Sequence, residues 1–242
     1  MAVKRTNEDP RRRLLIKALA LGAVSNTLLA GCVSTIAGLL GMKPYKLPDG
    51  QSVFYVEGGA RVNGIPANKD TQVRPGDTVE TDENGQFVFV VGGHAMLMRG
   101  ATKIEIGPNE NPIISSLKLI AGKILAVSRD VAMDIDTPVA SMRIKGTGWY
   151  AEADEDKTYF CTCYGETDIA AVKDPTSKTN VKATYHDRPV YIYGDAAPGE
   201  GIVDGPFINH SDEELTLIEA LVGRETPFVF AGDEYSTPRR EY

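Results

Sequence analysis

Side chains that carry chemistry are scarce in this chain, which has 3 cysteines, 3 histidines and 1 tryptophan among 242 residues. So few cysteines exclude the multi-disulfide framework that staples small secreted domains. Positive charge is also short: 26 Lys and Arg stand against 33 Asp and Glu, a formal −7. A nucleic-acid partner requires a basic face, so none is expected. No long amphipathic helical pattern occurs before residue 211, which argues against a βαβ fold. There is no Gly-x-Ser-x-Gly elbow, no His-Glu-x-x-His and no phosphate loop, and Gly146-Thr147-Gly148 is too short for a dinucleotide fingerprint. The chain therefore reads as a non-enzyme with no organic cofactor. Glycine (24) and proline (14), by contrast, are plentiful, as suits many turns between short strands.

The leading segment reads as an address. Lys4, Arg5, Arg11, Arg12, Arg13 and Lys17 give a basic start to a mostly apolar run, Leu14 to Gly31. A basic stretch followed by a short apolar run has the shape of a secretory signal. The run closes on Leu28-Leu29-Ala30-Gly31-Cys32, which resembles a bacterial lipobox. Cleavage after the small residues would leave Cys32 first in the mature chain, its sulfur carrying the lipid whose methylenes enter the bilayer, with palmitate-type acylation. Val33 follows where an Asp would retain such a protein at the inner membrane, so outer-membrane sorting is expected. Arg11-Arg12-Arg13 also resembles a twin-arginine signal, and both export routes stay open. A second reading is an uncleaved anchor: Leu14 to Met42 carries only Lys17 as a charge and is long enough to span a bilayer, although Ser25, Asn26 and Thr27 weaken it. Under both readings the basic residues stay inside and the bulk faces the periplasm. Six of the 26 basic and two of the 33 acidic residues lie in 1–31, so the remainder carries −11. Anionic headgroups would repel such a surface, which leaves the lipid on Cys32 as the membrane contact.

Residues 32–50 read as a tether with Pro44, Pro48 and Gly50. From Ser52 onward short β-type runs recur about every ten residues between turn signals, among them Asn63-Gly64, Arg74-Pro75-Gly76-Asp77 and Asn84-Gly85. This spacing predicts an all-β fold, solenoid-like or sandwich-like, over 51–170. Beyond Asp168 the periodicity loosens, and 171–232 reads as a C-terminal extension with one helix, 212–222. Ser211 and Glu214 form a capping box, Leu215, Ile218, Leu221 and Val222 recur at helical spacing, and Gly223 is placed to end the helix. Residues 233–242 read as a disordered polar tail.

The block from Ser52 to Ile169 resembles the FecR domain. The elements are Gly64-Ile65-Pro66, Arg74 to Thr81 with Asn84-Gly85, Leu119 to Ile124, Thr137-Pro138-Val139-Ala140, and Arg143 to Trp149. Within the last, Ile144-Lys145-Gly146-Thr147 stands where that family usually reads Val-Arg-Gly-Thr. The resemblance implies a ligand-free periplasmic module that meets envelope proteins or polymers and serves as a binding, scaffold or signalling part. Regulatory members also carry a cytoplasmic anti-sigma helical domain before the membrane. Here about thirteen residues precede the apolar run, too few to fold, so direct capture of a sigma factor is not expected.

Cys161 and Cys163 stand at i and i+2, and on a strand both would face one side. Three readings stay open for the pair: inert buried thiols, a strained and easily reduced disulfide, or metal ligation with His186 and His210 as partners. The metal or redox reading takes Cys161, Cys163 and His186 as its residues. His94 reads as structural, and His210 as a residue that caps or packs against the helix. Asp154-Glu155-Asp156 reads as a hairpin turn without the spaced oxygens of a calcium loop.

Overall fold

A computed structural model describes residues 45–108 and 114–228, with the side chains of 129–131 excepted. The expected signal at 1–31, the candidate lipid-bearing Cys32, most of the expected tether and the polar tail lie outside the described residues. Those described belong to one compact unit, Lys43–Tyr242. It is all-β, with a single helix at its C-terminal end among the described residues.

The strands are β1 Val53–Glu57, β2 Ala60–Val62, β3 Ile65–Pro66, β4 Thr78–Thr81, β5 Gln86–Val91, β6 His94–Met98 and β7 Lys103–Ile106. They continue with β8 Ser116–Asp136, β9 Ala140–Ala153, β10 Lys157–Ala171, β11 Lys178–Ala183, β12 Val190–Tyr193 and β13 Ile202–Asp204, and the helix α1 is Asp212–Leu221. Short strands dominate the first half because turn residues interrupt it. At Arg74-Pro75-Gly76-Asp77, Pro75 fixes the first corner and Gly76 takes φ +91°, as a type II turn requires. Arg74 N–H donates to the Asp77 carboxylate at 2.7 Å and closes the turn.

β8 is the spine. Its first part pairs with β7 (Ile106 opposite Leu117), its middle with β6 (Leu97 opposite Leu125), and its other edge with β9. Gly122 sits where the partner changes, at φ +92°, and a Cβ there would lie 2.5 Å from the Ala101 carbonyl oxygen. Two wings leave this spine, β7-β4-β2-β3 and β6-β5-β1, while β9, β10, β12 and β13 continue the sheet on the other side. β11 pairs with the far half of β10. All these pairings are antiparallel, so the strands form one branched antiparallel sheet rather than a stack of parallel coils. The two wings and the spine enclose one core that includes Phe87, Phe89, Met98, Ile104, Ile124, Trp149 and Phe160, with Trp149 stacked on Phe160 at 5.9 Å.

Strand alternation sends a second row of side chains to the opposite face. Val88, Leu97, Leu125, Tyr150 and Cys161 are direct cross-strand neighbours across β5, β6, β8, β9 and β10. Helix α1 packs against β6 and β8 and buries Leu215, Leu217, Ile218 and Leu221. Each such side chain contributes roughly 1.5–3 kcal/mol on burial. The capping box is formed: Ser211 Oγ accepts from Glu214 N–H, and the Glu214 carboxylate accepts from Ser211 N–H at 3.0 Å. This row and its cover place the site.

Candidate metal centre

Cys161 and Cys163 lie at the end of that second row, and both are fully buried. A register slip against β9 between Thr162 and Tyr164 marks a bulge at Cys163. Gly146 (φ +63°) and Gly165 (φ +95°) flank the irregular stretch, and Gly148 lets the Tyr164 ring approach closely. The Gly146-Thr147-Gly148 element thus shapes the strand that carries the thiols.

His186 arrives on the turn between β11 and β12. The Asp187 carboxylate accepts from the N–H groups of Thr184 (2.6 Å) and Tyr185 (3.1 Å), and His186 N–H donates to the Cys163 carbonyl at 2.9 Å. His186 is held at φ +46°, a left-handed conformation unusual for a non-glycine residue. His210 arrives on the segment before α1, after Asn209 at φ +60°. Tyr159 Oη donates to the Pro206 carbonyl at 2.7 Å and fastens that segment to β10. The His210 ring lies 4.5 Å from Tyr150 in a stack, and Phe207 lies 4.3 Å from His186 and 4.5 Å from His210 between ring centres.

The four donor atoms of Cys161, Cys163, His186 and His210 all lie within 4.8 Å of one another. Cys161 Sγ is 3.4 Å from His186 Nδ1, Cys163 Sγ is 3.4 Å from His210 Nε2, and the two nitrogens are 3.3 Å apart. A zinc-type ion about 2.3 Å from each sulfur and about 2.0–2.1 Å from each nitrogen gives a tetrahedron with edges of about 3.4 Å between nitrogens and about 3.6 Å from sulfur to nitrogen. The two sulfur–nitrogen separations and the nitrogen–nitrogen separation given above match those edges, and the remaining pairs lie within 4.8 Å. The outer ring nitrogens are also engaged: His186 Nε2 is 3.1 Å from Asp212 Oδ1, and His210 Nδ1 is 2.7 Å from the Ile208 carbonyl oxygen. Both acceptors require an N–H on the outer nitrogen, so both inner nitrogens of the neutral rings present lone pairs. Two lone pairs at 3.3 Å repel unless a cation, a proton or a metal ion, sits between them.

The electrostatics follow the same logic. Burial works against a charge on His186, but its hydrogen bonds to Asp212 and Cys161 prevail and raise its pKa to about 9. Burial likewise opposes ionisation of Cys161, but the hydrogen bond from Cys163, together with His210 and His186, holds its thiol well below the usual range. Burial and the neighbouring Cys161 sulfur push Cys163 well above it. The metal-free cluster is therefore an imidazolium–thiolate pair beside a neutral thiol.

Cys161, Cys163 and His186 are thus brought together. His210, which the sequence offered both as a metal partner and, in preference, as a residue that caps or packs against the helix, joins them through its side chain; Ser211 is the cap. His94 is buried and bonded to Ser128, away from the cluster. Asp154, Glu155 and Asp156 form the β9–β10 turn and contribute to no metal-binding cluster among the described residues. Sequence reasoning missed Asp212, Tyr185, Tyr150 and Phe207. The one available signal was an aromatic close to each histidine, in Tyr185-His186 and Phe207-Ile208-Asn209-His210.

The chain matches no family model, and no curated protein matches it. Two crystal structures of a candidate anti-sigma factor from Parabacteroides distasonis ATCC 8503 are similar in part, with a TM-score of 0.42 and 10% identity. The similarity covers 53% of this chain and 58% of that one, so the chain spans little more than half the length of the solved protein. A likeness this distant assigns neither function nor partner.

Proposed function

We propose that this protein is a non-catalytic module of the cell envelope whose sheet carries a tetrahedral Cys2His2 metal centre. The observation that carries the metal reading is the convergence of four donor atoms on one point with both imidazoles oriented from outside. Two thiolates and two imidazoles in a tetrahedron favour zinc among the common divalent ions. The protein fills all four positions, which is the arrangement of a structural or sensing site; a hydrolytic zinc keeps one position for water. That is the support for a non-enzymatic role.

The envelope part of the proposal is supported by the lipobox-like Leu28 to Cys32 segment and the basic start before it. The FecR-like motifs between Gly64 and Trp149 support a module that presents its surface to an envelope protein or polymer, and signalling is the role such motifs suggest. A metal or redox response through Cys161, Cys163 and His186, with His210 now added, is the finer form of the same proposal.

The test is metal content. The protein purified without an affinity-tag histidine run is expected to hold about one equivalent of zinc. Cobalt substitution should give the intense absorption of a tetrahedral thiolate site, and the Cys161→Ser/Cys163→Ser double variant should lose both. Equal zinc and cobalt binding by the wild type and the double variant would remove the metal centre from the account.

A further inference from the structure

Asp212 occupies two structures at once. It is the first residue of α1, and its carboxylate closes the shell around His186. Oδ1 faces His186 Nε2 at 3.1 Å, and Oδ2 accepts from Tyr185 Oη at 2.5 Å. The residue is buried. A ligand imidazole whose outer nitrogen is held by a carboxylate keeps one tautomer and one ring angle, and loss of that partner weakens metal sites about ten- to hundredfold.

The metal ligands come from three separate pieces of chain: β10, the 184–187 turn, and the segment entering α1. Two of those pieces contain a non-glycine residue in the left-handed region, His186 at φ +46° and Asn209 at φ +60°. Such conformations are uncommon for residues other than glycine and persist where the surroundings fix them. An ion bonded to all three pieces supplies that fixing. Beyond Asp212, α1 packs against β6 and β8, whose Leu97 and Leu125 are fully buried.

We propose that Asp212 is the positioning residue that couples the metal centre to α1, so that the bound ion tightens the docking of the helix over the Leu97–Leu125 face and its loss loosens the helix there. The inference rests on the metal reading above and adds a regulated cover to it. Coupling is reciprocal: whatever weakens helix docking must weaken metal affinity by the same factor.

The experiment is hydrogen exchange on the whole protein, with one equivalent of zinc and after chelation, with bound metal measured in parallel. Peptides from 207 to 221 should exchange at least about tenfold faster after chelation, while peptides from β8 and β9 stay protected. Asp212→Asn should lower zinc affinity about ten- to hundredfold and shrink the metal-dependent difference in α1, and Asp212→Glu should restore part of both. A helix that loosened in Asp212→Asn while zinc affinity stayed unchanged would leave Asp212 a purely structural residue and overturn the coupling. If zinc binds and exchange over 207–221 does not depend on it, the coupling fails and the metal centre stands. If no zinc binds, the metal centre itself fails and takes the coupling with it. General unfolding of β8 and β9 on chelation would also overturn the proposal, since the ion would then hold the whole fold.

Discussion

Arg99 Nη2 lies 3.0 Å from both carboxylate oxygens of Glu214, which joins the end of β6 to the first turn of α1. The same guanidinium donates to the Asn209 carbonyl at 2.6 Å, next to His210, and its carbon lies 5.9 Å from the centre of the Tyr150 ring. Glu214 is buried and also completes the capping box with Ser211. Its replacement by Ala leaves a largely buried cation and an open helix start together. Breaking such a pair costs about 3–5 kcal/mol, and loss of a cap about 1 kcal/mol. Glu214→Ala should therefore lower stability by several kcal/mol in a urea titration, and Glu213→Ala, an exposed neighbour, should change little. Similar midpoints for the two variants would mean that the helix is held elsewhere.

Proton release reports on the centre independently of metal content. Before the ion enters, Cys161 is already a thiolate, Cys163 holds its proton, and His186 holds one up to about pH 9. Binding requires both protons to leave, so near neutral pH each ion should displace about two. Because the His186 value is raised, its proton is fully present well below that pH and disappears as pH climbs through about 9. Release should then fall by about one proton, with only Cys163 still contributing. Calorimetry in buffers of different ionisation enthalpy measures the count. A release that stays constant between pH 7 and 10 would contradict the imidazolium assignment.

Local chemistry was readable in the chain, and long-range convergence was not. Asn63-Gly64 and Pro75-Gly76 turn where expected because the φ values they adopt, +53°, +78° and, at Gly76, +91°, depend on neighbours in sequence. The helix was readable because Ser211 and Glu214 state its start within four residues. Strand β8 reads in sequence as separate short pieces because Gly122 interrupts it, yet glycine there bends a continuous strand. β13 lay hidden in a loop-like Gly/Pro stretch because an edge strand of three residues needs little β propensity once Val190–Ile192 offers it a partner. The thiol pair was visible as a spacing. His210 could be named as a candidate partner but not placed: it lies 47 residues from Cys163, and only the register of β10 with β12 and the docking of α1 bring it home.

The Gly146-Thr147-Gly148 element gives a steric prediction. A Cβ at Gly148 would stand 2.5 Å from the Tyr164 ring, whose hydroxyl donates to the buried Glu219 of α1. The ring cannot retreat freely because it is itself buried beneath that helix. Gly148→Ala should cost about 1–3 kcal/mol as overpacking and weaken zinc binding through the displaced Cys163. Gly93→Ala, where a Cβ would meet nothing within 4 Å, should be tolerated. Equal stability of the two variants would show that β10 does not depend on this close approach.

The mature N-terminus decides the envelope reading. The chain beyond residue 31 carries a formal −11, so the domain surface has no electrostatic attraction to anionic lipid. On the proposed lipoprotein reading, membrane association would come from acyl chains on Cys32, at about 0.8 kcal/mol per buried methylene, with more than one chain needed for stable anchoring. Mass spectrometry of the first tryptic peptide should find Cys32 leading and carrying the diacylglyceryl and amide-linked acyl groups. Cys32→Ala should block cleavage and lipidation together, leaving Leu14 to Gly31 attached. A chain recovered from the membrane with Met1 intact and Cys32 unmodified would instead establish an uncleaved anchor, and one recovered from the cytosol would end the exported reading altogether.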